Sequence, residues 1–350
     1  MNHAFKINDI LRPLGWLYDL TTGIRNKMYD RGLLKSTSFS VPVISIGNIT
    51  VGGTGKTPHT EYIAALIKDH FRTAILSRGY GRRTRGYILA ESTATSLTIG
   101  DEPLQMHRRF PDIDLAVCEN RAFGIERLIR DRDSHVILLD DAFQHRGVTP
   151  SLNILLVNYN RNILDDAMLP AGRLRENAAG RKRAHIIIVT KCPRNLSSDS
   201  MDALVSRLMT TPDQKVFFST LDYGNLYSYV DSAVMPSAHC PVLTVTGIAD
   251  PAPMIAELSA THSEVNLLSY PDHHTFTERN ISQITSRLEK MPADSIIVTT
   301  AKDASRLSDM KLPAELSNRM YILPVKPKFL RDGDVFDNMI INHIETFRKQ

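Results

Sequence analysis

Cysteine is scarce in this chain. There are three, Cys118, Cys192 and Cys240, and none belongs to a C-x-x-C pair. An odd, scattered set argues against a disulfide framework and against structural zinc, so a reducing compartment is expected. Tryptophan occurs once, at Trp16. Long apolar runs are missing: aliphatic stretches such as 136–139 and 186–189 are four residues long, whereas a helix spanning a bilayer needs about 20. The N-terminus lacks the continuous apolar core of a secretory signal. Strong charge of one sign is also absent, the formal net charge being +4 over 350 residues. The arginines are not interleaved with aromatic stacking groups, so nucleic acid is not an expected partner. A mildly basic chain does suit an anionic substrate or an anionic membrane surface. What is present is ordinary for a folded protein, 42% hydrophobic and 23% charged residues, with length for about two domains and no internal repeat.

The most specific stretch is Val43-Ile44-Ser45-Ile46-Gly47-Asn48, followed by Val51-Gly52-Gly53-Thr54-Gly55-Lys56-Thr57-Pro58. A β-branched strand runs into a glycine-rich loop that ends in Gly-Lys-Thr, and a helix follows. This is the setting of a phosphate-binding loop. Backbone N–H groups of Val51 to Gly55 can wrap phosphates, Lys56 can reach the β/γ oxygens, and the Thr57 hydroxyl can ligate Mg²⁺. The start of the helix near Pro58 adds its partial positive charge. The usual motif has glycine five positions before Gly55, where this chain has Thr50. A plain strand-turn-helix is the structural alternative.

Strands alternate with helices beyond this loop. Residues 73–76, 116–118, 136–139, 154–158 and 186–190 read as strands, with helices from Gly100 to about Phe110 and from Arg121 to about Arg130. That order predicts an α/β fold: a P-loop NTPase-like, mostly parallel sheet with helices on both faces. Residues 36–220 are expected to form this domain. Residues 221–240, with Tyr223, Tyr227, Tyr229 and Val234, lose helical periodicity and read as an extended linker. Residues 241–350 are expected to form a smaller C-terminal α/β domain that contributes to the cleft. Residues 1–35 read as one or two amphipathic helices, with Ile10, Leu11, Leu14 and Leu17 at helical spacing. Lys6, Arg12, Arg25, Lys27, Arg31 and Lys35 decorate this segment, and Pro13 kinks or begins a helix. Such a segment packs on its own domain or lies in a membrane interface.

Asp140 and Asp141 end an aliphatic strand, where P-loop proteins place a Mg²⁺-linked carboxylate. Gln144, His145 and Arg146 follow into the same crevice. Asp101 and Glu102 open a helix, which leaves N-capping of that helix as the competing reading. His273 and His274 are adjacent and so diverge. Acid/base work suits them better than zinc, with a surface loop as the alternative. Arg173 and Arg175 flank a turn in which arginine suits bidentate phosphate contact. Lys191 and Lys302 follow strands and could face nucleotide or substrate.

Taken in order, Pro13-Leu14-Gly15-Trp16-Leu17-Tyr18, the phosphate loop, Ser77-Arg78-Gly79-Tyr80-Gly81, Gly100-Asp101-Glu102-Pro103, Asp140-Asp141-Ala142-Phe143-Gln144-His145, Leu169-Pro170-Ala171-Gly172, Leu174-Arg175-Glu176, Asp272-His273 and Lys302-Asp303 resemble the tetraacyldisaccharide 4′-kinase family of Gram-negative bacteria. The resemblance runs nearly end to end. Ala142 stands where the family usually has glycine and Arg173 where it often has proline; neither supplies a reacting group. It implies ATP- and Mg²⁺-dependent phosphorylation of the 4′-hydroxyl of a tetraacylated glucosamine disaccharide 1-phosphate, a membrane-embedded lipid A precursor. It implies a peripheral enzyme on the cytoplasmic face of the inner membrane, docked through residues 1–35 and needing no obligate protein partner. It further implies that Asp101 and His273 form a catalytic dyad assembled by domain closure, that Lys56 stabilises the transferring phosphoryl, and that Thr57 with Asp140 or Asp141 holds Mg²⁺. Glu102, Arg121, Gln144, His145 and Arg175 are then the expected substrate residues. A soluble P-loop kinase with another acceptor, or a nucleotide-dependent switch protein, is the rival reading.

Overall fold

The computed structural model describes residues 7–231, 236, 239–272 and 274–349. Lys6, Val234 and His273 lie outside the described residues, so the dyad partner expected at His273 is given no geometry.

The larger sheet is built by β1 (Val43–Gly47), β2 (Thr73–Ser77), β3 (Ile88–Leu89), β4 (Asp114–Val117), β5 (Val136–Asp140), β6 (Leu152–Asn158), β7 (Ile186–Thr190) and β8 (Lys215–Tyr223). The chain then forms a second sheet from β9 (Tyr227–Ser228), β10 (Val242–Thr246), β11 (Val265–Ser269), β12 (Ile296–Thr300) and β13 (Met320–Leu323), and returns to the first as β14 (Val325–Arg331). The large sheet runs β14-β8-β7-β6-β1-β5-β2-β4-β3 and the second β11-β10-β12-β13-β9. Neighbours are parallel except at the edges, where β14, β3 and β9 pair antiparallel. β1 sits between β5 and β6, with Ile46 opposite Asp140 and Ile154. Being covered on both faces, it reads as a continuous apolar run rather than an alternating one.

Alternate residues of β1 feed opposite layers. Ile44 and Ile46 pack with Ile63 and Ile67 of α2 (Lys56–Ile67), while Val43 joins the layer that also buries Ile125 and Leu128. N-terminal to α2 lies α1 (Arg12–Asp30), preceded by a short 3₁₀ turn. Pro13 sits in its first turn, so it begins the helix instead of kinking it. α3 (Ser96–Ile99) and α4 (Asp101–Arg109) precede β4, and α5 (Arg121–Arg132) follows it; α6 (Ser198–Leu208) covers the β7–β8 region. The second sheet carries α7 (Ala252–Ser259), α8 (Glu278–Leu288), α9 (Ala301–Leu307) and α10 (Ala314–Ser317), with Ile281, Ile284 and Leu288 of α8 buried on one face and Met254 and Leu258 of α7 on the other.

Two boundaries differ from the expectation. Residues 221–223 complete β8, and the supposed linker contributes β9 to the second sheet. Residues 325–349 do not belong with the smaller sheet. After Pro324 the chain joins β8, and α11 (Gly333–Arg348) lays Phe336, Ile340 and Ile344 into the core beneath α2. Phe217, Phe329, Phe336 and Tyr62 form one aromatic cluster there. The driving term is this burial, which a local reading of strand and helix order does not register.

Candidate active site

The phosphate loop leaves the carboxyl end of β1 and ends at α2. Gly55 caps that helix in the left-handed region, at φ 86°, a conformation that favours glycine. A web of side chains holds the loop. Asn48 Nδ2 donates to Thr54 Oγ1 at 2.7 Å, Thr190 Oγ1 donates to the Thr54 carbonyl at 2.8 Å, and Gln144 donates to the Asn48 carbonyl. His59 is fully buried one turn into α2. Its Nδ1 donates to the Gly55 carbonyl at 2.7 Å, and its Nε2 accepts from Ser219 of β8 at 3.0 Å. Burial pushes this imidazole down to about 4, so it is neutral near pH 7.

Arg175 braces the other side. Its Nε donates to the Thr50 carbonyl at 3.1 Å, and its Nη2 reaches Asn48 and, at 3.3 Å, Asp141. Asp141 also faces Lys56, with Nζ 3.6 Å from Oδ2. The backbone turns sharply here, Asp141 having φ 47°. A Cβ on Gly47 would stand 2.7 Å from the Phe143 amide, so only glycine lets the β5 exit loop lie against the phosphate loop. Asp140 is buried and accepts from Thr60 at 3.1 Å and Ser77 at 3.3 Å. Burial, then Glu102 and Asp141, push its carboxyl well above the usual range. Two hard-oxygen carboxylates that repel each other, next to a threonine hydroxyl, fit a Mg²⁺ ion. Among the described residues no three His, Cys, Asp or Glu side chains converge on a metal position. Mg²⁺ needs only one or two protein carboxylates when phosphates and waters complete its shell.

α4 presents the second acidic pair. The N-cap is Gly100, at φ 94°, and Asp101 is the first helical residue. The capping alternative for Asp101 is therefore wrong. Gly100 holds that position because a Cβ there would meet the Tyr80 carbonyl at 2.8 Å. The Asp101 carboxylate instead accepts from Arg306 Nε of α9 at 2.7 Å. Glu102 lies 3.4 Å from Lys302 Nζ, which is also 3.7 Å from Asp272. This lysine thus links the two sheets.

Arg121 is buried at the start of α5. Its Nη1 donates to the Cys118 carbonyl at 2.6 Å, while its Nε has no hydrogen-bond partner among the described residues. Burial lowers this guanidinium to about 10, against the pull of Asp140 and Asp141. His145 is pushed down to about 4 by burial and by Arg121, Arg25 and Arg78. Three cations from α1, the β2 exit loop and α5 thus surround one neutral imidazole.

Between the sheets lies a cavity of about 600 Å³. The loop from Gly53 to Pro58, Glu102, Lys191 and Lys302 line its polar end. Lys191 leaves β7 with φ 58°, and burial lowers its ammonium. Leu221, Tyr223, Met254, Leu323 and Val325 form an apolar wall. Lys56, Thr57 and Glu102 line this space. Asp101 precedes Glu102 at the start of α4, Asp140 ends β5 with Asp141 next to it, and Arg175 and Gln144 hold the backbone of Asn48 and Thr50. The sequence reading missed the apolar wall and Arg306. The wall comes from three stretches far apart in sequence, 221–223, 254 and 323–325, and has no local signal; Arg306 had one, because it stands one turn after Lys302-Asp303.

The description "tetraacyldisaccharide-1-P 4′-kinase" belongs to the family model (LpxK) that matches residues 7–345. A protein of Bacteroides thetaiotaomicron named tetraacyldisaccharide 4′-kinase is 46% identical, over 98% of this chain and 94% of its own length. One of the same name from Porphyromonas gingivalis is 40% identical, over 98% and 99%. The crystal structure of LpxK from Aquifex aeolicus in complex with ATP aligns with a TM-score of 0.73 at 28% identity, over 95% of this chain and 98% of that one.

Proposed function

Because the chain belongs to the tetraacyldisaccharide-1-P 4′-kinase family, we propose that it transfers the γ-phosphoryl of ATP to the 4′-hydroxyl of a tetraacyldisaccharide 1-phosphate. The observation that carries this reading is the pairing of a phosphate loop with a second acidic helix start across one cavity. ATP phosphates rest on the backbone of Val51 to Gly55, with Lys56 against the transferring group. The adenine packs on Tyr223, Leu221, Met254 and Leu323, whose apolar faces suit a planar base. Thr57 and the Asp140/Asp141 pair would hold Mg²⁺, which would offset the negative charge of the phosphates.

Asp101 is the base. Its carboxylate accepts the proton of the 4′-hydroxyl as that oxygen bonds to the γ-phosphorus, while the bond to the β–γ bridging oxygen breaks and ADP leaves. His273, next to Asp272, polarises or orients the same hydroxyl. Approach of the second sheet assembles this pair around bound acceptor, which limits transfer to water. The cluster of Arg25, Arg78 and Arg121 is the anion seat for the acceptor's own phosphate, and the bare Nε of buried Arg121 supports that role.

Substrate of this kind sits in a membrane. No helix among the described residues is long and apolar enough to cross one. α1 and the 3₁₀ turn before it offer a docking surface instead. Ile10, Leu14, Trp16, Leu17, Leu20 and Ile24 are exposed, Trp16 at 71%, beside Arg12 and Arg25. The helix is fixed to the catalytic domain through Asn26–Glu176, Arg146–Asp30 and Gly15, whose Cβ would meet the Met168 carbonyl at 3.1 Å. An amphipathic helix with this makeup lies on an anionic leaflet, here the cytoplasmic face of the inner membrane. In detergent micelles with ATP and Mg²⁺, Lys56→Ala and Asp101→Ala are each expected to lower lipid phosphorylation by about 10²-fold or more while the fold persists. Near-normal turnover in either variant contradicts the assignment.

A further inference from the structure

Arg306 has no role in the machinery above, yet it is among the most constrained charges in the molecule. Its side chain is 4% exposed. Nη1 donates to Asp303 Oδ1 at 3.0 Å and approaches the Gly247 carbonyl at 3.4 Å, and Nε donates to Asp101 Oδ2 at 2.7 Å. Asp303 is itself fully buried and anchored. Its Oδ2 accepts from Thr246 at 2.9 Å, from the Gly247 amide at 3.0 Å and from Thr300 at 2.8 Å. The exit loops of β10 and β12 therefore fix a carboxylate, the carboxylate fixes a guanidinium, and the guanidinium points one edge at Asp101 on the other sheet's helix.

We infer that Arg306 is the positioning residue for Asp101, aiming its carboxylate at the acceptor hydroxyl only while α4 is docked on α9. This inference rests on the reading of Asp101 as the base. Three observations carry it. A guanidinium is a planar fork, and one locked by Asp303 loses little further freedom when it orients a second carboxylate. Other contacts also join these elements. Arg108 already donates to the Ser305 carbonyl at 3.4 Å and to Ser308, and the Ser96 amide donates to Asp309 at 3.2 Å. Asp101 is also the first residue of α4, so its carboxylate moves with that helix start. Misplacing a catalytic group by about 1 Å costs on the order of 10²-fold in rate. A base held from the opposite sheet is thus correctly aimed only in the docked arrangement.

Full-length Arg306→Met, Arg306→Lys, Asp101→Asn and the Asp101→Asn/Arg306→Met double variant test this by steady-state kinetics, with Arg108→Ala as a docking control. Arg306→Met is expected to lower kcat by about 10²-fold, with KM for lipid and Kd for ATP essentially unmoved. Arg306→Lys should recover part of that loss, because a point charge keeps the attraction and not the fork geometry. The double variant should be no slower than Asp101→Asn alone, and Arg108→Ala, which keeps the Arg306–Asp101 contact, should lower kcat much less than Arg306→Met. Independent, multiplying losses in the double variant, or a kcat for Arg306→Met near wild type, overturn the inference. If Arg306→Met does not fold, a rise in KM for Arg306→Lys without a fall in kcat overturns it equally. Wild-type turnover in Asp101→Asn would remove the base assignment and this inference together. An inactive Asp101→Asn beside an active Arg306→Met would remove the inference alone.

Discussion

Single residues in this protein are placed by chemistry that the local sequence announces only in part. Lys56, Thr57, Asp140 and Asp141 were legible because a strand, a glycine loop and a helix start constrain one another within a few positions. Asp101 was half legible. Two acidic residues at a helix start look like capping, and only the close approach of Gly100 to Tyr80 moves the cap and turns the Asp101 carboxylate toward Arg306. His59 was not legible, since its partner Ser219 is 160 residues away. Its burial has a consequence for pH. The imidazole drops from 6.5 to about 4 on folding, so below pH 6.5 the unfolded chain binds a proton that the native one refuses. Stability is therefore full above pH 6.5 and is lost as pH falls towards about 4, by on the order of 3 kcal/mol for this group. Thermal melts from pH 7.5 to 4.5 should show that decline, and His59→Gln should flatten it. Parallel pH curves for the two proteins would contradict the assignment.

At the level of elements, the parallel order of the large sheet followed from strand and helix alternation, and β1, β2, β4, β5, β6 and β7 fall close to where the sequence puts them. The return of the chain after β13 did not follow. Nothing local separates Ile322-Leu323 from Val325, yet Pro324 stands between a strand of one sheet and a strand of the other. What decides it is the long-range apolar match of Phe329, Phe336, Ile340 and Ile344 with Phe217, Ile63 and Ile67. Tyr62 of α2 adds a hydrogen bond to Asp337 at 2.9 Å. The C-terminal helix therefore supports the helix that carries Lys56. Phe336→Ala should cost about 3–5 kcal/mol in denaturant titrations and weaken ATP binding along with stability. A loss confined to a second, separately melting transition would place α11 with the smaller sheet instead.

The whole molecule joins two sheets around a nucleotide-sized cavity and suspends a partly apolar helix beside a basic cluster. Arg25 belongs to both features: it lies on α1 and it contributes to the field that keeps His145 neutral. The proposed docking helix and the proposed anion seat thus share Arg25. Replacing Trp16 and Leu17 together by Ser should reduce sedimentation with anionic vesicles several-fold, in proportion to the apolar area removed, and leave ATP binding intact. Equal sedimentation of both proteins would assign α1 to packing alone. The central claim is phosphoryl transfer to a specific hydroxyl, and the structure of the lipid product reads it most directly. Wild-type protein incubated with ATP, Mg²⁺ and tetraacyldisaccharide 1-phosphate in micelles should yield one ADP per lipid phosphorylated, with the new phosphate on the 4′-oxygen by ³¹P–¹H correlation. ADP release with the lipid unchanged, or phosphate at another oxygen, would contradict the account.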